Sequence, residues 1–401
     1  MRKAAVTWLL LTLAACNRAA PPAQVAAVPA APVARPNLMD LAQGACVVSR
    51  TAELDLEHSA LRLIDDANST GWVTPAEDPA QSVVLSLPAR ARIDRVGIVS
   101  TRVGASARDL QIDFSLDGVG FNGGVMLKAK QVEGPQDLPV APAVEAQYVR
   151  LTTLNGHGPH VLIRSLVVNG AFLAQPTAGA IDGCWSVNGQ PATFHSDHAA
   201  ATGYGGPNGM TLDGGSDGRF YRFAWTRDKQ YGLAALSVTP DGKHLGAIVW
   251  HEQAIDFDQF YAEDWLGERG ACSSTPKEGD VFSTYLERFG YFPLYALRFS
   301  DDGTLDDEAS RPALARVAQF VAANPHLQLR FVAHELTHAN ARENLAVAQR
   351  KIATLRDALS RRGFPLSKIG FIALGEEHPR REGTNALIRA MYSSVDLEVR
   401  R

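Results

Sequence analysis

The spacing of apolar residues changes along the chain, and each change marks a different kind of element. Gln81 to Leu87 alternates apolar with polar, Arg92 to Ser100 is a second β-rich run and Tyr148 to Leu151 a third, all separated by polar turns. This period of two predicts a β-sandwich. A second strand-rich stretch carries RFYRFAWT at 219–226, YGLAALSV at 231–238 and HLGAIVWHE at 244–252. Asp228-Lys229-Gln230 and Thr239-Pro240-Asp241-Gly242 link these runs as tight turns, which predicts an antiparallel meander or small closed barrel. Beyond residue 290 the period becomes mixed. Ala296 to Phe299 is expected as a strand, followed by a helix capped by Ser310, with Pro312 in its first turn. That helix carries Leu314, Val317, Ala318 and Val321 on one face until Asn324-Pro325 ends it. Leu327, Leu329, Phe331 and Ala333 then alternate, so His334 falls at a strand end. Asn340 with Glu343 forms a capping box for a helix bearing Leu345, Ala348, Ile352, Leu355 and Leu359, closed by Gly363 and Pro365.

That last placement bears on HELTH at 334–338, which spells the zinc-protease signature H-E-x-x-H. The signature works when both histidines project from one helix onto one ion, with the glutamate on its bound water. Here the helix is predicted to start after both histidines. The positions of a third ligand are also wrong: Ala341 and Asn344 replace the Gly and His of one extended form, and Ala358 stands near where another places its glutamate. A zinc metalloprotease built on His334, Glu335 and His338 is therefore the alternative reading. His195, His198, His244 and His251 are too irregularly spaced to nominate a metal site and read as surface or turn histidines.

At the N-terminus Met1-Arg2-Lys3 is basic, residues 4–13 are apolar but too short to span a bilayer, and Leu13-Ala14-Ala15-Cys16 ends the run with small residues before a cysteine. Residues 18–36 are mostly Ala, Pro and Val, an extended tether that buries no core. The formal charge is −4 and becomes −6 once Arg2 and Lys3 are removed. That balance argues against nucleic acid and anionic lipid as main partners. Of the four cysteines, Cys184 and Cys272 bracket the meander and are expected to pair, which would join its first and last strands and leave Cys46 free.

Three resemblances add to this reading. The residue 1–16 pattern resembles a bacterial lipoprotein signal, which implies cleavage before Cys16, acyl chains on that residue, and an envelope protein anchored through its N-terminal lipid; outer membrane facing the periplasm is the expected location. The succession NLMDLAQGA, LIDDANSTGW (63–72), VVLSLPARARIDRVGI (83–98), FSLDGVGF (114–121), AQYVRL (146–151) and IRSLVVNG (163–170) resembles the discoidin, or coagulation-factor type C, jelly roll. It implies a non-catalytic domain that binds glycans or other surface ligands. Asp65, Asn68 and Thr70 match the family loop that holds a structural Ca²⁺, the one cofactor implied. However, Ser165 stands where many members place a glutamate, and Asp65 and Asn68 equally suit side-chain turns. Trp72 and Phe121 are expected in the core.

Residues 291–401 resemble OmpA-like domains that bind peptidoglycan. LQLRFVAH matches the family strand ending in G-H-T-D, NLAVAQRKI its N-x-x-L-S-x-x-R-A, RGFPLSKIGFIALGEEHP its loop, strand and G-E-x-x-P turn, and SVDLEV its final strand. The resemblance implies stem-peptide binding, but the family's gripping Asp and Arg fall on Leu336 and Lys351, and its N-R-R on Tyr392-Ser393-Ser394. Lys351 keeps a positive charge without the planar fork of Arg. Glu335, Asn344, Arg350 and Lys351 are the candidate peptidoglycan contacts. The expected organisation is a signal peptide (1–15), tether (16–36), discoidin-like β-sandwich jelly roll (37–175), β meander or barrel (177–275) and α+β OmpA-like domain (290–401). The whole reads as a non-catalytic binder or tether of cell-wall peptidoglycan or surface glycan. A scaffold whose altered pocket binds an envelope protein partner is a further alternative.

Overall fold

The computed structural model describes residues 36–400 apart from 68, 77, 195–202, 252–261, 271–279 and 379–384. Cys16, the tether, Asn68, His195, His198 and Cys272 lie outside the described residues.

The first sheet runs in the order Cys46–Arg50, Ser82–Ser100, Gly134–Gly156, Ala107–Ser115, Asn122–Lys128, with Ser165–Phe172 also paired to Ser82–Ser100. The two runs read as separate strands are one strand of 19 residues. Its register to Gly134–Gly156 breaks between Ser86 and Ala91 and between Ile93 and Arg95. The first break contains Pro88, which has no N–H to give the ladder. Val83, Leu85, Ile93, Ile98 and Val149 fill the interior of this jelly-roll sandwich together with Trp72, which is fully buried. Phe121, also expected there, is instead half-buried beneath the Arg150 guanidinium, 4.5 Å from its ring centre.

Eight strands between Gly183 and Arg269 close into a barrel, the first (Gly183–Val187) pairing with the last (Ala262–Arg269). Asp228 takes a positive φ of 55° in the two-residue turn that pairs Arg227 with Gln230. Trp185, Phe194, Phe223, Trp225 and Trp265 fill the interior. The outer wall is covered too: Phe220, Leu233, Ala235 and Ile248 join one core with the sandwich and the C-terminal region. Burial on both faces is why Gln230–Val238 reads as a nearly unbroken apolar run rather than a clean alternation. His244 and His251 begin and end one strand of this barrel. Cys184 is disulfide-bonded, with its partner outside the described residues. Cys46 is free and buried where the sandwich meets the barrel, and burial pushes its thiol up to about 12.

The C-terminal sheet has the order Tyr291–Pro293, Val395–Arg400, Gln328–His334, Ile369–Gly375, and only the last pair is parallel. Four helices pack with it: α1 (Val281–Phe289), α2 (Arg311–Ala323), α3 (Ala341–Arg361) and α4 (Ala386–Tyr392). Neither α1 nor α4 was expected, although the spacing of Leu387, Ile388 and Met391 suits a helix. The strand expected at Ala296 to Phe299 does not form; the sheet strand lies earlier, and Phe299 makes only a bridge to Leu305. Ser310 caps no helix N–H, because its hydroxyl accepts from the Arg298 N–H at 2.9 Å. Asn340 does cap α3, accepting from Glu343 N at 3.0 Å. Tyr285 of α1 donates to the Gly232 carbonyl of the barrel, one of several contacts that make residues 36–401 one compact unit.

Candidate functional site

HELTH forms the corner between a strand and α3. His334 closes the strand ladder by donating its N–H to Ser394 O at 2.8 Å, and Glu335 N donates to Gly375 O at 3.0 Å. The loop is then held by side chains. Leu336 N donates to Ser393 Oγ at 2.8 Å, and His338 N to Asn344 Oδ1 at 2.9 Å. Arg389 of α4 reaches across to donate to the carbonyls of Leu336 and His338. The two histidines therefore do not share a helix, and the zinc-protease arrangement is not formed by these residues.

The chemistry at the corner is an ion pair. Lys351 Nζ donates to Glu335 Oε2 at 2.7 Å, with the two residues 6% and 3% exposed. Glu335 Oε1 accepts from Thr337 N at 3.0 Å and from the Thr337 hydroxyl. Burial works against ionisation of Glu335, but the Lys351 ammonium and the Thr337 donors outweigh it and hold the carboxyl at about 2. Burial also lowers the Lys351 ammonium from its ordinary value, opposed by Glu335. The pair lines a cavity of 540 Å³ whose walls come from the sandwich module, the barrel and the C-terminal region.

Of the four residues proposed as peptidoglycan contacts, Glu335 and Lys351 line this cavity. Asn344 is fully buried, accepting from His338 N and donating to Glu376 Oε2 at 2.7 Å, so it staples the loop. Arg350 lies on an exposed face of α3 and pairs with Asp302 at 3.1 Å. Leu336, at the family's Asp position, is buried in the core, and His334, expected at a strand end, does end the strand Gln328–His334 and is 4% exposed. Four further wall residues were not foreseen: Asp66, Asp217, Arg222 and Arg389. Arg222 donates to the carbonyls of Ala390 and Ser393, both at 3.0 Å, at the C-terminal end of α4, where a cation is favoured. Its guanidinium lies over the Tyr295 ring at 5.1 Å. Asp66 accepts from Ala386 N at 3.1 Å. Asp66 and Arg222 meet partners more than 150 positions away, which no local pattern announces, and Asp217 bonds within its own turn, to Arg219 and Phe220. Arg389 alone was within reach, from the apolar spacing of Leu387, Ile388 and Met391.

Asp65 sits in a different environment from the one a calcium loop needs. Its carboxylate accepts from Thr70 Oγ1 at 2.7 Å and Ala67 N at 2.9 Å, with Arg62 Nη1 at 3.5 Å. Arg62 continues to Asp264 of the barrel at 2.8 Å. Burial raises Asp65 to about 7 and Asp264 to about 6 against the pull of Arg62. The described residues thus answer this carboxylate with a guanidinium, which does not fit a cation needing six to eight oxygens.

Comparison with known proteins places a family on part of this fold. The chain is similar to the peptidoglycan-associated lipoprotein of Brucella melitensis, 27% identical over 110 residues, which are 27% of this chain and 61% of that protein. It is likewise similar to that of Agrobacterium fabrum, 28% identical over 114 residues, 28% of this chain and 60% of that protein. The chain thus matches about 60% of the length of these curated relatives. Among solved structures, the C-terminal domain of a chitobiase from Bacteroides fragilis aligns with a TM-score of 0.30 and 20% identity, covering 33% of this chain and 96% of that one. A CBM32 module from Clostridium perfringens, in complex with GalNAc-β-1,3-galactose, aligns with a TM-score of 0.28 and 24% identity, covering 32% of this chain and 99% of that one. The F5/8 type C domain model matches residues 48–166 of this chain.

Proposed function

We propose that this chain is a non-catalytic envelope lipoprotein that binds peptidoglycan, with the stem peptide entering the cavity at the Glu335–Lys351 corner and the F5/8 type C domain contacting glycan. The observation that carries the reading is the buried, hydrogen-bonded ion pair opening onto a 540 Å³ cavity at the strand–loop–α3 corner. The ammonium and carboxylate are held in place by the fold, so the cavity wall presents fixed charges of both signs to the charged groups of a ligand. The similarity to two proteins named peptidoglycan-associated lipoprotein supports the same substrate class. On this reading the chain is lipid-anchored through Cys16 and faces the wall across its Ala/Pro-rich tether. The loss of the family's Asp to Leu336 is met by Glu335, one residue earlier, which brings a carboxylate back to the corner.

The test is co-sedimentation of the full chain with purified sacculi, with and without soluble muropeptides. The wild type should pellet with sacculi and be released by muropeptide. The double variant Glu335→Leu/Lys351→Met, which replaces the pair by apolar groups of similar size, should remain folded and stay in the supernatant. Equal pelleting of wild type and double variant would refute the assignment of the site.

A further inference from the structure

Residues 59–66, which include the short helix Ala60–Leu63, fasten the sandwich to both of its neighbours. On the barrel side Ser59 Oγ donates to Asp264 Oδ2, and Arg62 Nη2 donates to Asp264 Oδ1 at 2.8 Å. Leu61 packs over Gly246 of the barrel, where a Cβ would come within 2.8 Å of Leu61 Cδ2. Toward the C-terminal region, Asp66 Oδ2 accepts from Ala386 N of α4 at 3.1 Å. Leu41 N donates to Ile64 O at 2.8 Å, which brings Asp40 alongside. The charges gathered here do not balance. Asp40, Asp65 and Asp264 are 4%, 3% and 5% exposed, and Arg62, itself 3% exposed, divides its grip between Asp264 at 2.8 Å and Asp65 at 3.5 Å. Its Nε has no acceptor, so neither carboxylate is held through Nε. Asp40 accepts from Ala42 N at 2.8 Å and meets no cation in a salt bridge among the described residues. The groups around them are committed elsewhere: Glu53 to Arg50 at 2.8 Å, His58 to Asp55, and Glu263 to Arg227 and His251. One guanidinium therefore faces three buried carboxylates, and a buried charge left unpaired is costly.

We infer that residues 59–66 are a proton-dependent strap: while the surplus carboxylates carry protons the strap holds the sandwich to the barrel and α4, and as those protons leave it opens with the barrel and the C-terminal sheet still folded. Opening lets water reach the carboxylates, which then ionise at no cost in unpaired buried charge. The sign follows from their environment. Burial, with Asp66 and Asp65 nearby, pushes Asp40 up to about 8, and burial pushes Asp65 to about 7 and Asp264 to about 6 against the pull of Arg62. The closed strap thus binds protons more tightly than the open one, so its hold is complete below about pH 4 and is lost as pH rises through these values. The opening is local because the neighbours do not depend on the strap for their hydrogen bonds. The barrel closes on itself through Gly183–Val187 and Ala262–Arg269, and Gln328–His334 is paired on both edges. The inference does not depend on what the cavity binds.

The experiment follows backbone hydrogen exchange of the full chain by mass spectrometry across this pH range, each rate divided by its intrinsic value so that only opening is read. Peptides covering residues 59–66 report the strap, and those covering Tyr221–Arg227 and Gln328–His334 report the barrel and the C-terminal sheet. In wild type, protection of the strap should fall at least about tenfold for each pH unit between about pH 5 and 7, the slope of one proton released on opening. The other two segments should change less than about threefold over the same range, since their opening is not linked to these protons. The double variant Asp40→Asn/Asp65→Asn keeps an amide oxygen for Ala42 N and Ala67 N and leaves Arg62 with Asp264 one to one. Its strap should lose that dependence and stay protected at the high end of the range. Equal slopes in all three segments of wild type would show global unfolding and overturn the inference, as would a flat strap. A folded double variant that keeps the wild-type slope would overturn it too. Where the double variant fails to fold, the comparison of segments in wild type still decides, and Asp40→Asn, which breaks no ion pair, should by itself reduce the slope; an unchanged slope would count against the strap.

Discussion

Removing the amine of Lys351 tests the energetics of the corner. In Lys351→Met the Glu335 carboxylate keeps only its Thr337 donors in a site 3% exposed. A carboxyl held at about 2 against an ordinary 4.5 corresponds to roughly 3 kcal/mol of native-state stabilisation, at about 1.36 kcal/mol per unit. This agrees with the roughly 3 to 5 kcal/mol expected when one partner of a buried ion pair is deleted. The single variant should therefore lose about 3 kcal/mol, while Glu335→Leu/Lys351→Met should stay within about 1 kcal/mol of wild type because no charge is left unpaired. Urea unfolding followed by tryptophan fluorescence at pH 7 measures both. The sign with pH is fixed as well: the folded-state carboxyl is depressed, so its contribution is full above pH 4.5 and disappears as pH falls toward 2. The difference between Lys351→Met and wild type should shrink over that window. A single variant as stable as wild type, or a double variant as damaged as the single, would refute this account of the pair.

Other expectations follow from the same structure. Asp40, Asp65 and Asp264 are raised by burial to about 8, 7 and 6, so the folded state holds their protons more tightly and stability should decline as pH rises from about 4 to 8; a flat or rising thermal midpoint across that range would contradict it. Arg62 already answers Asp65, so millimolar Ca²⁺ should leave the melting temperature unchanged, and a rise saturating with Ca²⁺ would show a site that the described oxygens do not form. Non-reducing peptide mapping should recover Cys184 joined to Cys272, with Cys46 reacting with a thiol reagent only after unfolding, because it is buried. Cys16→Ala should abolish incorporation of labelled fatty acid; equal labelling in wild type and variant would remove the anchor from the account.

Local signals carried the parts of the fold that depend on neighbours in sequence. Alternation over Gln81 to Leu87, the tight turn at Asp228 and the capping of α3 by Asn340 needed no tertiary information. Reading failed where a residue had a distant partner. Ser310 is a good cap by type, yet its hydroxyl is committed to Arg298. Asn344 and Arg350 looked like contacts because they align with a family helix, but α3 turns one into the loop and the other toward Asp302. Glu335 and Lys351, sixteen positions apart, were named separately, and their union as a pair came only from the sharp corner between strand and α3. The remainder of the cavity was invisible for a physical reason: Asp66, Asp217 and Arg222 lie in segments whose own patterns describe separate β modules, and nothing in those patterns encodes the faces by which the modules pack.

The proposed function requires that peptidoglycan enter the cavity beside Glu335 and Lys351 and leave chemically unchanged. A muropeptide bearing a photoreactive group on its stem peptide, irradiated with the full chain and mapped by mass spectrometry, tests it most directly. Adducts are expected on residues of the cavity wall such as Thr337, His338 and Ser393, competed by unlabelled muropeptide, with the unbound muropeptide recovered at its original mass. Adducts scattered over other surfaces, or a recovered muropeptide with a cleaved bond, would contradict it.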